Sequence, residues 1–451
     1  MFHDRNTILV ESIKRLLRRN AVSHLKKIVR KTHAADLAQA FPYISAADQK
    51  RLFAMMTDKE QKGFLLSELD KDDFLKLIRD MPVEEIVDVL NEMPNDDVAD
   101  LVALMPPETS EIVLKKMGRE ESEEVEDLLR YSDDTAGRIM NPDVVALPQD
   151  YTARQAIESI QTEHRDAEMP FYLYVVDELK RLVGVISLRQ LVVVQPSQKL
   201  GDIMNSDIVS VQTSMDQEEV AKIVARYDIL AVPVVDEAGV LVGIVTVDDV
   251  IDIFRKEATE DIMKMAGIGD SFVENLSIFG NIRKRLPWLF ASCLGGILAF
   301  WVISGFEEAL AKYAYLAAFM PVIAGMGGNV GTQSSTIVVR GLATGRLALG
   351  DFWRVISREL FVGLCLGLVY GTLVGIVAEL NYNILMLDIA VALAMISSIS
   401  IAAVMGSLVP LIMAKIKIDP AVATGPFVTT TTDVITAYLY FTIATTLLEH
   451  V

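Results

Sequence analysis

The sequence predicts a multi-domain membrane protein, with an all-α superhelical N-terminal domain, a tandem α/β pair, a long connecting helix and a five-helix membrane domain. Three observations predict this. Five apolar stretches follow Arg285, each close to the ~20 residues that cross a bilayer. A twelve-residue period runs through residues 69–117, and two strand-bearing segments echo one another between 137 and 255.

The N-terminal segment MFHDRNTILVESIKRLLRRN lacks the apolar core and small-residue cleavage site of a secretory leader and reads as an amphipathic cytoplasmic helix. The period then appears as LDKDDFLKLIRD, MPVEEIVDVLNE, MPNDDVADLVAL and MPPETSEIVLKK. Each unit opens on a turn-like pair and continues as a short helix, as proline at a helix start permits. Short helices stacked in this way bury one apolar stripe in a superhelix, here placed over 1–132. The acids between them are solvated faces by default.

GRIMNPDVVALP (137–148) is echoed by GDIMNSDIVSVQ (201–212), and YVVDELKRLVGVISLRQL (174–191) by PVVDEAGVLVGIVTVDDV (233–250). Each copy, 137–199 and 200–255, reads as strand, helix, two apolar strands joined by a turn, and a further helix. The connecting helix is placed at 248–267, with Gly267 as its C-cap. Along it Glu257, Glu260 and Asp261 stand at i, i+3 and i+4, and Asp249 and Asp252 lie two turns earlier. Such acids repel one another unless cations intervene.

The five spans are placed at 287–306, 314–340, 358–380, 387–414 and 421–448, within a membrane domain covering 286–451. Arg283, Lys284 and Arg285 precede the first; Arg340, Arg346, Arg354 and Arg358 separate the second and third; Lys415 and Lys417 separate the fourth and fifth. The remaining connections carry Glu307, Glu308, Glu379 and Asp388 against Lys312 alone. Positive charges on alternate sides place the N-terminus in the cytoplasm and the C-terminus outside an inner or plasma membrane. An odd number of spans gives no simple internal two-fold repeat. A central pathway then falls between two copies, which predicts a homodimer embedded in lipid.

The formal net charge of −19 is carried almost wholly before Leu286, with 52 acidic and 35 basic residues there against nine and seven after it. Such a region repels nucleic acid and suits cations or basic partners. Cys293 and Cys365 lie in apolar stretches and are expected to be buried small hydrophobes. No catalytic triad, P-loop or zinc spacing occurs, so an enzyme is not expected.

In the fifth stretch Asp433 follows four threonines, and a carboxylate in hydrocarbon is costly enough to require a partner or a water path. In the second stretch Gly325, Gly327, Gly328 and Gly331 either let helices approach closely or free backbone beside a cavity. Asn329 and Gln333 share one face at i and i+4. A bend at Gly425–Pro426 is expected to free carbonyls that only a watery or protein-lined place satisfies.

PVIAGMGGNVGTQSSTIVVRGLATG (321–345) and GPFVTTTTDV (425–434), placed after an acidic helical superhelix and the paired repeat, closely resemble the MgtE family of magnesium channels; the paired repeat resembles a tandem of CBS domains. The resemblance implies a magnesium-selective, Mg2+-gated channel for magnesium uptake, the alternative being a coupled secondary transporter of divalent cations. It places the ion path at Asp433, with Asn329, Gly328, Thr429 and Gly425 around it. A carboxylate ring suits an ion that keeps its octahedral waters. The family commonly has glycine where this chain has Thr436. Regulatory Mg2+ sites carry over to Asp96, Asp100, Asp216, Glu218, Asp228, Asp249, Asp252, Glu257, Glu260 and Asp261, and 248–267 becomes a plug helix under the pore mouth. CBS domains often bind adenine nucleotides such as ATP through Thr or Ser followed three residues later by Asp. The second copy has Thr246 and Asp249; the first has Ser187 and Gln190, without the acid.

Overall fold

The computed structural model describes residues 2–162, 171–268, 278–423 and 425–448. The part of the first repeat copy between 163 and 170 lies outside the described residues. Two compact units, Met1–Phe254 and Arg255–Val451, are each built around their own core.

The first unit opens with ten helices: α1 (Phe2–Arg18), α2 (Val22–Lys31), α3 (Ala34–Ala40), α4 (Ala46–Met55), α5 (Lys59–Ser67), α6 (Lys71–Ile78), α7 (Val83–Leu90), α8 (Asn95–Leu104), α9 (Pro107–Lys116) and α10 (Arg119–Arg130). Local chemistry sets their starts. Ser45, Asp58 and Asp70 accept hydrogen bonds from the backbone N–H three residues on, satisfying donors that a helix start leaves open. Pro82, Pro94 and Pro106 stand immediately before α7, α8 and α9, where the missing N–H costs nothing. Val10, Ile13 and Leu17 of α1 turn inward and join Leu37, Phe41, Phe53, Leu65 and Phe74 in one continuous core.

The duplicated segment follows with α11 (Ala136–Ile139), α12 (Ala153–Thr162), α13 (Leu188–Val193), α14 (Leu200–Ile203) and α15 (Gln217–Tyr227) against two three-stranded sheets. One holds β1 (Ala146–Pro148), β2 (Tyr172–Val176) and β3 (Leu182–Ser187); the other holds β4 (Val211–Gln212), β5 (Ala231–Val235) and β6 (Leu241–Thr246). In each, the first strand pairs parallel and the third antiparallel to the middle one, with matching irregularities at Val175/Val176 and Val234/Val235. The copies are interlocked. Asn141 of the first exchanges backbone hydrogen bonds with Ile244 of the second, and Asn205 of the second does so with Val185 of the first. Gly243 and Gly184 make room for these crossings, since a Cβ there would lie 2.7 Å from the Asn141 carbonyl oxygen and 2.2 Å from Met204 Sδ.

α16 (Val247–Met265) continues from β6 and ends on Gly267 in the left-handed region at φ +69°, as its C-cap role requires. The second unit then holds α17 (Ile278–Ser304), α18 (Glu307–Lys312), α19 (Leu316–Ala343), α20 (Phe352–Tyr382), α21 (Leu385–Lys415) and α22 (Pro426–Leu448). α21 is central, packed against α19, α20 and α22, while α17 packs on α22. The α20–α21 contact follows from spacing. Gly363, Gly367, Gly371 and Gly375 form one stripe along α20 and meet the antiparallel α21 backbone at Ser400, Ile396, Ala392 and Asp388, each step four residues. Small residues in this register let two backbones approach where lipid offers no competing hydrophobic drive.

Among the described residues, α17, α20 and α21 are long and apolar enough to cross a membrane by length and hydropathy together. α19 and α22 are long enough, but glycine, serine, threonine and Asp433 dilute their apolar character. Two expectations are corrected. Cys293 and Cys365 are exposed on the chain's own surface, because they lie on helix faces that this chain does not cover. No bend occurs inside a helix at Gly425–Pro426, because Pro426 is the first residue of α22, where proline is tolerated.

Candidate functional site

α19 and α22 meet through their small residues. A Cβ on Gly327 would lie 3.1 Å from the Thr436 hydroxyl, and one on Gly331 would lie 3.1 Å from Val428 and 3.2 Å from Thr432 Oγ1. These two glycines are helix-packing positions, and Thr436 is fully buried against the space Gly327 leaves. Gly325 and Gly328 differ, for nothing lies within 4 Å of where their Cβ would be. Asn329 and Gln333, on the face of α19 that also bears Gly325, are exposed. α19 is helical throughout, so its glycines do not unwind it.

On α22, Asp433 is half-buried and forms no hydrogen bond or ion pair among the described residues. Thr429 stands one turn earlier and turns its hydroxyl onto the carbonyls of Gly425 and Pro426 at 3.3 Å. Thr432 is buried, and its hydroxyl has no hydrogen-bond partner among the described residues. The chain therefore leaves a polar strip on its two least apolar long helices.

At the entrance to α22, Gly425 abuts the end of α16: its Cβ would lie 3.2 Å from the Met265 carbonyl oxygen, and one on Gly267 would lie 3.3 Å from Pro426. Lys264 Nζ donates to Asp419 Oδ2 at 2.6 Å and also pairs with Glu260. Burial works against the Lys264 charge, but the hydrogen bonds to Asp419 and Glu260 outweigh it and hold the ammonium above the ordinary lysine range. Glu260 is thus an acid with a built-in cation. Lys264 and Asp419 were not singled out in the sequence, since they stand 155 residues apart.

In the first unit Asp100 pairs with the buried Arg138 at 2.8 Å, and Arg138 also donates to the Ala99 carbonyl at 3.2 Å. Asp96 is buried in the first turn of α8. Asp249 accepts from the Thr246 hydroxyl and from the Thr246 N–H at 3.2 Å, so one carboxylate holds the residue ahead of α16 twice. Its carboxyl is pushed up to about 6, chiefly by burial and further by the charges of Asp248 and Asp100, while the Thr246 hydroxyl pulls the other way. The fold thus brings Asp100 close enough for its charge to be felt at Asp249.

The remaining acids have local roles. Asp216 caps α15 by accepting from Glu218 N–H at 2.9 Å, Glu218 pairs with Lys222 at 3.0 Å, and Asp228 ends α15 at φ +51°. Asp252 is exposed on α16, and Glu257 and Asp261 are half-buried further along it. Ser187 caps α13 by accepting from Gln190 N–H at 3.2 Å and lines a cavity of about 490 Å3 with Arg189 and Tyr172. The Gln190 side chain is turned away onto the Ile203 carbonyl. A further buried acid went unnoticed in the sequence: Glu359 of α20 accepts from Ser334 of α19 at 2.7 Å. Its signal in the sequence is an acid directly after Arg358, at the start of the third apolar stretch.

With these arrangements described, comparison with known proteins decides the family. Residues 320–443 match the MgtE divalent cation transporter family, 32–134 the MgtE intracellular N domain, and 136–196 and 200–256 the CBS domain. The magnesium transporter MgtE of Bacillus subtilis is 40% identical over 332 residues, 74% of each chain. The chain belongs to the MgtE family.

The magnesium transporter MgtE of Thermus thermophilus is 41% identical over 331 residues, 73% of each chain. The crystal structure of the cytosolic domain of the Mg2+ channel MgtE in complex with ATP superposes with a TM-score of 0.52 at 34% identity, covering 54% of this chain and 99% of that one. The soluble part of a magnesium transporter superposes at 0.50 with 30% identity, covering 56% and 99%. MgtE proteins are membrane transporters of magnesium, and that places this chain among transporters rather than enzymes.

Proposed function

We propose that this chain is a magnesium-selective channel, gated by cytoplasmic Mg2+, that works as a homodimer in an inner or plasma membrane with its N-terminus in the cytoplasm and its C-terminus outside. The observation that carries the proposal is the polar strip on α19 and α22: an unpaired Asp433 on one helix, and exposed Asn329 and Gln333 with uncovered glycine backbone at Gly325 and Gly328 on the other. Facing lipid, such groups would be costly. A second copy of the chain covers them and leaves water between two Asp433 carboxylates.

Magnesium releases its waters reluctantly, so fast passage calls for acceptors that touch the hydrated ion. Asp433 supplies the charge. Thr429, Gly425, Gly328 and Asn329 shape the approach. Closing rests on the acids of the cytoplasmic region, Asp96, Asp100, Asp216, Glu218, Asp228, Asp249, Asp252, Glu257, Glu260 and Asp261, whose repulsion divalent ions relieve. The docking of the α16 end against Gly425 and Asp419 gives that response a mechanical link to the fifth span. ATP is proposed for the Ser187 cavity, in keeping with the nucleotide-bound relative; Thr246 and Asp249 are the corresponding pair in the second copy.

Single-channel recording with Mg2+ varied on the cytoplasmic face tests the whole reading. Discrete openings that cease as Mg2+ rises support it. Slow flux that depends on a proton gradient makes the protein a coupled carrier, and absence of flux makes it a sensor.

A further inference from the structure

The strongly acidic chain carries a concentration of positive charge at its N-terminal end. Its first 33 residues hold nine basic and two acidic residues. Of these, Arg15, Arg18, Arg19, Lys26, Lys27, Arg30 and Lys31 are exposed, and none forms an ion pair among the described residues. Elsewhere in the helical part most cations among the described residues have an acidic partner, as in Lys50–Asp80, Lys62–Glu85 and Arg138–Asp100. The end of a helix accounts for part of this charge, since Arg30 and Lys31 suit the carbonyl pole of α2. Lys26 and Lys27 lie a turn earlier and exceed that need.

Three of these cations line a cleft. A cavity of about 950 Å3 lies between α2 and α5, with Lys26, Arg30 and Lys31 on the α2 side and Asp58, Glu60 and Phe64 on the α5 side. That volume is ample for a small ligand. The walls are fixed to one another, because the Gln61 amide donates to the carbonyls of Val29 at 3.1 Å and Thr32 at 2.9 Å. Phe64 is 45% exposed, and His33 meets its ring edge-on at 5.3 Å.

We propose that this cleft binds a nucleotide, with its phosphates held by Lys26, Arg30 and Lys31 and its base against Phe64. The cations supply charge-assisted hydrogen bonds to phosphate oxygens. An aromatic surface stacks a base of any sequence. Asp58 and Glu60 on the opposite wall accept from ribose hydroxyls or an exocyclic amine. Inorganic phosphate or a lipid headgroup leaves both the ring and the acidic wall unused. The site is distinct from the Ser187 cavity, and α2 precedes residue 32, where the match to the MgtE intracellular N domain begins.

The test is photolabelling of the full-length detergent-solubilised protein with 8-azido-ATP, followed by peptide mapping. Label on the peptides that carry His33 or Phe64 is expected, competed by ATP and not by equal concentrations of inorganic phosphate or phosphatidylglycerol vesicles. The double variant Arg30→Glu and Lys31→Glu should lose that label at least about tenfold, the loss of one charge-assisted bond, while label on the Ser187 peptide persists. Phe64→Ala should weaken it with the helical circular dichroism unchanged. Label confined to the paired repeat overturns the proposal, as does competition by phosphate or by vesicles as effective as that by ATP.

Discussion

Lys264 at the end of α16 and Asp419 ahead of α22 are joined by a 2.6 Å hydrogen bond between side chains that are both less than half exposed. The pair ties the helix that leaves the paired repeat to the loop that enters the span carrying Asp433. Lys264→Ala and Asp419→Asn should each loosen this tie, raising the Mg2+ concentration for half-closure about three- to fivefold, in line with the ≲1 kcal/mol of a partly exposed pair. Combining Lys264→Asp with Asp419→Lys should recover part of the loss, and recording in excised patches reads both. Since the lysine is raised above its ordinary range, its contribution is complete at neutral pH and fades only in strong alkali. Closure should therefore not weaken through this pair between pH 6 and 9.

Asp433→Ala should abolish magnesium uptake into proteoliposomes. The protein should still migrate as the wild type does on size exclusion, because Asp433 forms no pairing among the described residues whose loss would destabilise the fold. Uptake retained at more than a tenth of wild type removes the carboxylate from the ion path.

Asp249 gives a pH-dependent prediction. Its carboxyl is raised to about 6, foremost by burial, so between the ordinary carboxylate range and pH 6 the folded chain holds a proton that the unfolded chain has released. Stability then falls as pH rises through that window, by roughly 3 kcal/mol in divalent-free buffer, about two units at 1.4 kcal/mol per unit. Magnesium should restore it and release protons on binding near pH 6. Calorimetric melting of Asp249→Asn, which keeps an acceptor for Thr246, should show a flatter pH profile. An unchanged profile excludes Asp249 as the titrating group.

The glycines divide into two kinds with opposite tolerance. Gly367→Ala would put a Cβ 2.8 Å from Ile396 Cα, and Gly371→Ala one 2.8 Å from the Ala392 carbonyl oxygen. Each should cost about 1–3 kcal/mol from overpacking and lower the melting temperature of the detergent-solubilised protein. Gly328→Ala meets nothing within 4 Å and should leave melting unchanged while altering magnesium flux. Equal melting losses at all three positions contradict the separation of packing glycines from open ones.

The helix starts were legible because their causes are local. Asp58, Asp70 and the Met-Pro pairs act within one turn, and the observed helices begin where those residues stand. Gly267 likewise announced the end of α16. Apolar length was enough to locate the long helices of the second unit, although α20 extends to Phe352, six residues ahead of the stretch that began at 358, because its first turns are amphipathic. The Glu260–Lys264 pair is a local i, i+4 contact, whereas Asp419, which shares Lys264, is reached only through the fold.

The sequence by itself determined the order of the parts, the helix caps, the duplication and the lone acid of the fifth span, since each is written in residue type and spacing along one stretch of chain. Tertiary structure alone decided which glycines of α19 pack and which stand open, that Lys264 meets Asp419, that Arg138 meets Asp100, and that Asp100 bears on Asp249. The reason is range: a hydrogen-bond cap or a helical period acts over a few residues, whereas an ion pair or a close backbone approach joins positions whose separation in sequence carries no sign of their nearness in space.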